Sequence, residues 1–349
     1  MKKLNNIVQS EYDYSYSKCR NTNIEILRFI LMCFIFYWHI LVHGYNLKQL
    51  GGDDVTVQHS FFLYGFLLTL FVPATYCFVF ISGYYGITFK LKKLLSLLMG
   101  CFIVSISAWF YKTIWVGAPF EITKFMESLL PVSTDRWWFM TNFILLYILS
   151  PILNVGFDYL SQKQQKTILF ILFVFSSVGI LALLPNRGSS FMGLLMIYLL
   201  GRYAKRQGGG NCFARKPICL YAISFITLLV GIVGIYYISI FSGHKSLSKL
   251  IFPLLGYANP LVIAMSVSLF YVVKNLPDLK NSILNKILSA NLFIYLITEV
   301  GGFVSYQQIA NEFDCNPYIG FCHSMFIIVS CLLAGHVILK ISKLILRNV

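Results

Sequence analysis

Charge is what this sequence has least of. Only 12% of its 349 residues are charged, and just 13 are acidic, where soluble domains carry about a quarter charged. A chain so poor in charge cannot cover its own surface in water, which excludes a soluble enzyme, a secreted scaffold and a disordered tail. Long polar segments are missing too. The longest stretch between apolar runs, 112–136, holds an amphipathic segment at most. No internal repeat is visible, which weakens an inverted-repeat transporter. Cysteine supplies no framework either. Of nine, Cys33, Cys77, Cys101, Cys322 and Cys331 lie inside apolar runs, where a thiol behaves as a small hydrophobe. No spacing matches a zinc site.

What is present is apolar: 58% of residues are hydrophobic and 17% aromatic. A spanning helix needs about 20 mainly apolar residues. Ten runs qualify: 24–45, 60–86, 94–115, 137–156, 166–184, 190–203, 217–241, 250–273, 287–304 and 319–341. The sequence therefore predicts an all-α, polytopic membrane bundle of about ten transmembrane helices. The run at 190–203 is short enough to be tilted or broken. Pro73 predicts a kink in 60–86. The first run is no cleavable signal, since it is too long and holds Arg28.

The excess of 28 Lys and Arg over 13 acids gives a net charge of +15. These cations fall in short segments between apolar runs and do not line a face as nucleic-acid binding requires. With the N-terminus in the cytoplasm, 20 lie in inner segments and seven in outer ones, and every inner segment contributes. Both termini are thus expected inside. The division is a cytoplasmic tail over 1–23, a membrane domain over 24–341 and a cytoplasmic tail over 342–349, with Gly208-Gly209-Gly210-Asn211 as a flexible inner loop.

Ionisable groups in a bilayer are costly, so each is a candidate for function. Thr22 followed by Glu25 reads as a capping box that starts the first helix. Arg28 and His39, 11 residues apart, project from one face about 16 Å apart along the axis, with Glu25 and His43 within about 60° of that stripe. A helix facing lipid would not gather these groups on one side. The plain alternative is a snorkelling Arg and a structural His. His39 and His43 have the i, i+4 spacing of a metal pair, but no third ligand is near in sequence and no metal is assigned. A neutral imidazole can deprotonate a hydroxyl attacking a thioester, or carry an acyl group for a moment. Arg28 can bind an anionic donor by forked hydrogen bonds.

The Ser82-Gly83 turn, with Tyr84, precedes Lys90, Lys92 and Lys93 on the membrane face that carries Arg28. Together they suit the phosphates of an acyl-coenzyme A as co-substrate. Positive-inside anchoring explains the lysines equally well, and Ser82, Gly83 and Tyr84 also suit a helix contact. Asp135-Arg136-Trp137-Trp138 reads as outer aromatic belt, or as a surface on which sugar rings stack. Asn142 suits a substrate contact or an interhelical amide bond. His323 and His336 read as structural.

Asn23-Ile24-Glu25-Ile26-Leu27-Arg28 through His39 resembles the first-helix signature of acyltransferase family 3, an Arg and a His separated by ten residues. Phe80-Ile81-Ser82-Gly83-Tyr84 resembles the family's Ser-Gly-Tyr/Phe motif. Trp137-Trp138-Phe139 through Tyr147-Ile148-Leu149-Ser150-Pro151 resembles its Trp-Phe…Tyr-Leu-Leu-x-Pro helix. Asn291-Leu292-Phe293-Ile294-Tyr295-Leu296-Ile297 resembles its late Ile-Tyr-Leu-Ile-His segment. Four motifs in the family's order cover nearly the whole chain. The resemblance implies ten helices and O-acylation of surface polysaccharides in the bacterial inner membrane. One departure stands out: where relatives commonly have His after Tyr-Leu-Ile, this chain has Thr298 and then Glu299.

The expected function is transfer of an acyl group, most simply acetyl, from cytoplasmic acyl-coenzyme A to a sugar hydroxyl of a surface polysaccharide or its lipid-linked precursor. His39 is the expected base or acyl carrier, Arg28 the donor contact, and Glu299 a second polar contributor. No cofactor is expected to stay bound. Membrane lipid and the glycan are the expected partners, nucleic acid is not, and a separate extracytoplasmic protein would take the acyl group if this chain does not complete the transfer. A transporter or flippase for a lipid-linked saccharide uses the same polar stripe without covalent chemistry.

Overall fold

The computed structural model describes residues 21–47, 55–177, 188–208, 212–244 and 247–348. The tail over 1–20, the end of the run 166–184 and the loop residues 209–211 lie outside the described residues. Every regular element among them is helical. In chain order these are α1 (Thr22–His39), α2 (Val55–Phe71), α3 (Ala74–Tyr85), α4 (Leu91–Phe110), α5 (Ile122–Leu129), α6 (Trp138–Tyr159) and α7 (Gln162–Ser177). There follow α8 (Phe191–Gln207), α9 (Pro217–Phe241), α10 (Pro260–Lys274), α11 (Ser282–Leu288), α12 (Leu292–Glu299), α13 (Tyr306–Cys315) and α14 (Pro317–Ile345).

Among the described residues six helical stretches are long and apolar enough to cross a membrane: Thr22–Gly44, Ser60–Tyr85, Leu91–Trp115, Trp138–Tyr159, Pro217–Phe241 and Pro317–Ile345. The other four apolar runs fall on α7, α8, α10 and α12, of 16, 17, 15 and 8 residues. At about 1.5 Å per residue the last reaches about 12 Å, well short of the ~30 Å hydrocarbon core. Hydropathy cannot tell a short helix buried in the bundle from one that spans it. The expected kink is present: the helix breaks between α2 and α3 at Pro73, whose carbonyl meets the Ser266 hydroxyl of α10 at 2.9 Å.

The first helix starts differently from the expected capping box. Asn21 is the cap, its side chain accepting from the Asn23 N–H at 2.9 Å. The Thr22 hydroxyl instead accepts from the Asn281 N–H at 2.8 Å, and the Thr22 N–H donates to the Leu279 carbonyl. Long-range contacts with the start of α11 thus take the group that a local cap would use. Glu25 turns to Arg28, 2.8 Å away.

The segment between α4 and α6 is partly helical. Helix α5 folds back along α4, with Trp109 against Phe120 and Phe125 at ring separations of 5.6 and 4.8 Å. Leu129 to Ser133 then face Leu95, Leu98 and Phe102 of α4 across a small cavity. This brings residues 136–138 down into the bundle. Trp137 is only 2% exposed, so it packs in the core and does not face headgroups as a belt residue would.

The closest helix packing joins α3 to α8. A Cβ placed on Gly83 would lie 2.1 Å from the Tyr198 carbonyl oxygen, so the backbones touch where a side chain would part them. Gly83→Ala should therefore lower stability by about 1–3 kcal/mol, the usual cost of overpacking. Gly234→Ala, on α9 where nothing lies within 4 Å, should be neutral or slightly stabilising through helix propensity. Thermal unfolding of the detergent-solubilised proteins compares the two. Equal melting would show that the α3–α8 contact yields to a methyl group without cost.

Candidate active site

The chemistry gathers where α1 ends. After His39 the helix widens into a π turn, Ile40–Gly44, a feature that recurs at functional sites. The wider turn carries the His43 ring back to 5.5 Å from that of His39. Helix α12 then brings Glu299 to the same place, its Oε1 2.8 Å from Nδ1 of His39. The two stand at charge-pairing distance without being aligned as a linear hydrogen bond. Catalytic contacts are often loose in this way before substrate binds.

Tyr306 completes the group. Its hydroxyl donates to the same Oε1 of Glu299, and its ring lies 6.0 Å from the rings of both His39 and His43. It reaches them because Gly44 lets α13 approach: a Cβ on Gly44 would lie 2.5 Å from the Tyr306 carbonyl oxygen. Burial, and after it the Glu299 carboxylate, holds the Tyr306 phenol well above its ordinary range, so it stays a donor. Tyr295 of α12 lies 6.5 Å from His39, ring to ring, and packs edge-on against Phe139. Sequence reasoning missed both tyrosines. Tyr295 stood in a quoted motif with no role attached, and Tyr306 lies past it in a polar segment with no motif of its own.

Arg136 holds the end of α12. It donates to the Val300 carbonyl and to the Ser105 hydroxyl, each at 3.2 Å. A cation there caps the carbonyl end of α12 directly after Glu299, where the helix dipole is negative. The sequence placed Arg136, Trp138 and Asn142 together as substrate contacts. In the structure Trp138 stacks on Tyr257 at 5.7 Å, and the Asn142 amide donates to the Trp138 carbonyl of its own helix at 2.6 Å. Thr298 is 1% exposed, and its hydroxyl donates to the Ile294 carbonyl. It is thus absorbed into α12 and leaves Glu299 as the ionisable residue of that pair.

Arg28 stands near the other end of α1. One guanidinium nitrogen pairs with Glu25, while Nε is buried without a partner, so the fork retains donors for an anion. Lys90, Lys92 and Lys93 are exposed at the start of α4. Ser82 returns its hydroxyl to the Phe78 carbonyl of its own helix, and Gly83 forms the close contact with α8. Tyr84 packs on Phe270 at 4.7 Å. These three set the turn over 86–90, which Tyr147 and Tyr198 hold through the N–H groups of Lys90 and Ile87.

His39, His43 and Glu299 bring one ligand atom each within 4.8 Å of one another, the donor set of a divalent ion among the described residues. Glu299 is the third ligand that the sequence could not place. Its Oε1 already serves Tyr306 and His39, so an ion would have to displace those contacts.

No curated protein and no solved structure matches the chain. A family model does: that of the acyltransferase family 3 domain, an acyltransferase domain, matches residues 21–335. The match includes Arg28, His39, Glu299 and Tyr306 and leaves out only the tail and the last turns of α14. The chain, a multi-pass membrane protein with six helices able to span among the described residues, belongs to acyltransferase family 3.

Proposed function

We propose that the protein transfers an acyl group, most simply acetyl, from acyl-coenzyme A to a sugar hydroxyl of a cell-surface polysaccharide or its lipid-linked precursor. The setting is the bacterial cytoplasmic membrane, with both termini inside and the ten apolar runs forming the membrane core. The observation that carries this reading is the convergence of His39, Glu299 and Tyr306 inside an acyltransferase domain.

The geometry supports the following roles. Glu299 faces Nδ1 of His39, so the proton belongs on Nδ1 and the lone pair on Nε2. Nε2 takes the proton of the acceptor hydroxyl as its oxygen attacks the thioester carbonyl. The tetrahedral intermediate collapses, the carbon–sulfur bond breaks, and the imidazolium returns the proton to the departing thiolate. Ester and free thiol are the products. Glu299 stabilises the imidazolium between these steps, and Tyr306 fixes the carboxylate. Arg28 and the Lys90, Lys92 and Lys93 cluster receive the donor's phosphates at the inner face. The thioester then extends along α1 over the about 16 Å between Arg28 and His39. A separate extracytoplasmic protein would be the final acceptor in a relay form of the same reaction. The transport alternative has no observation of its own in its favour.

In a deletion strain complemented with wild type, mass spectrometry of surface glycan should show ester groups that His39→Ala, present in the membrane at equal level, fails to restore. Loss of the general base should cost about 10²–10⁴ in rate. Normal esters in the deletion strain would remove this glycan as the acceptor, and full activity in His39→Ala would remove the mechanism. Tyr306→Phe removes one hydrogen bond to a charged group, worth about 1.5–3 kcal/mol. It should slow turnover by roughly 10- to 100-fold while His39→Ala stays lower. Glu299→Gln keeps the shape and removes the charge, so it should fall between the two. Activity equal to wild type in Glu299→Gln would leave His39 acting alone.

A further inference from the structure

His43 takes no part in the reaction proposed above, yet the fold brings it to the reacting group. The π turn sets its ring 5.5 Å from that of His39, centre to centre. Two imidazoles on one tetrahedral ion, at metal–nitrogen distances of about 2.0–2.1 Å, have centres about 5 Å apart. Glu299 adds an oxygen to the two nitrogens, and the three ligand atoms lie within 4.8 Å of one another. Around such an ion, neighbouring ligand atoms stand about 3.4 Å apart. His39 and Glu299 are already closer than that, at 2.8 Å, so the remaining adjustment falls on His43. That residue is the exposed one of the three, and rotation of its side chain meets the least packing resistance.

The donor chemistry selects the ion. Two imidazoles and one carboxylate suit zinc and its neighbours, whereas magnesium and calcium take oxygen ligands. Three protein ligands leave a fourth position open, and His43 makes the cluster reachable from the surface. Among the described residues no other group gathers three such donors. His323 and Glu312 stand 2.6 Å apart but lack a third.

An ion at this place and the chemistry proposed for His39 exclude each other. A neutral imidazole has one lone pair, its other nitrogen carrying the proton. Whichever nitrogen the ion binds, it takes that lone pair, and none is left for the acceptor hydroxyl. The ion also competes with Tyr306 and His39 for Oε1 of Glu299. We propose that His39, His43 and Glu299 form a zinc site, and that zinc bound there reversibly blocks acyl transfer. The block rests on the acyl-transfer reading above. The binding does not, because it is read without turnover.

The test uses the full chain in detergent, stripped of metal, with the exposed Cys212, Cys219, Cys315 and Cys322 alkylated. Calorimetry follows zinc, and visible absorption follows cobalt(II) as its spectroscopic substitute. Wild type should bind one ion with the absorption of a tetrahedral site, and magnesium should not compete. Loss of a hydrogen bond that supports a metal ligand costs about 10- to 100-fold in affinity, and loss of the ligand itself should cost no less. His43→Ala and Glu299→Gln should each show at least that drop, while His323→Ala should bind as wild type. Zinc should raise the melting temperature of wild type. His43→Ala should still melt cooperatively and gain nothing from zinc, which separates a lost ligand from a lost fold. In acyl transfer, metal-free wild type should be active, lose its rate as the site fills, and recover it with chelator. His43→Ala should keep at that zinc concentration whatever rate it shows without zinc. Unchanged binding in both ligand variants would overturn the site. A rate that falls on stripping and returns with zinc would overturn the block. If acyl transfer fails its own test, binding lost in the two variants still establishes the site, and the blocking role falls.

Discussion

The contact between His39 and Glu299 is the constraint on which the rest of the structure depends. Either group alone within a bilayer is expensive to keep there, and a buried charge deprived of its partner costs several kcal/mol. Each must therefore be met by something, and what meets them comes from opposite ends of the sequence: α1 brings the imidazole, α12 the carboxylate, and α13 the phenol that joins them. Three local departures from regular helix make this meeting possible. The π turn after His39 sets the His43 ring beside that of His39. The early end of α12 leaves Glu299 on its last turn. Gly44 lets the backbone of α13 come close enough for Tyr306 to reach in.

Much of α1 was legible beforehand because its information is local. A period of 3.6 residues places Arg28 and His39 on one face, and no tertiary contact needs to be known to see it. The identity of the partner was only half legible. Glu299 stood out as an ionisable residue near the end of an apolar run, but hydropathy did not show that this run is a helix of 8 residues. Reading 287–304 as a span puts Glu299 at its outer end, where solvation is the plain explanation. Reading it as a short helix capped by Arg136 turns the same residue inward. Two glycines in succession after Glu299, followed by Ser305 as the cap of α13, were the available signal that the chain reverses there and carries Tyr306 back.

The burial of Trp137, read from the sequence as outer aromatic belt, was missed for a related physical reason. A segment of mixed polarity is indistinguishable by composition from a surface loop. What folds α5 back on α4 is aromatic packing around Trp109, an interaction with no period to detect. Its consequence reaches the site, since the fold-back is what lowers Arg136 to the carbonyl end of α12. Thr22 makes the same point on a smaller scale. Its hydroxyl fits a local cap, but the partner it takes is Asn281, 259 residues away, because a helix start packed against another segment satisfies both at once.

These links explain how the chain can carry Thr298 where relatives commonly carry His. A histidine there would need room and a partner. Thr298 needs neither: its hydroxyl closes on the Ile294 carbonyl one turn earlier, and the residue is buried. The next residue then inherits the contact with α1. A carboxylate in that position cannot serve as a second neutral base beside the first, but it can hold the proton of His39 on Nδ1 and answer the positive charge that the imidazole gains in the reaction. In the proposed reaction this arrangement concentrates proton transfer on one residue and makes its partner electrostatic. It also gives Tyr306 a purpose that a histidine at 298 would not supply. A carboxylate required to stay ionised in a dry site gains from a donor that remains protonated, and burial of the Tyr306 phenol ensures that it does.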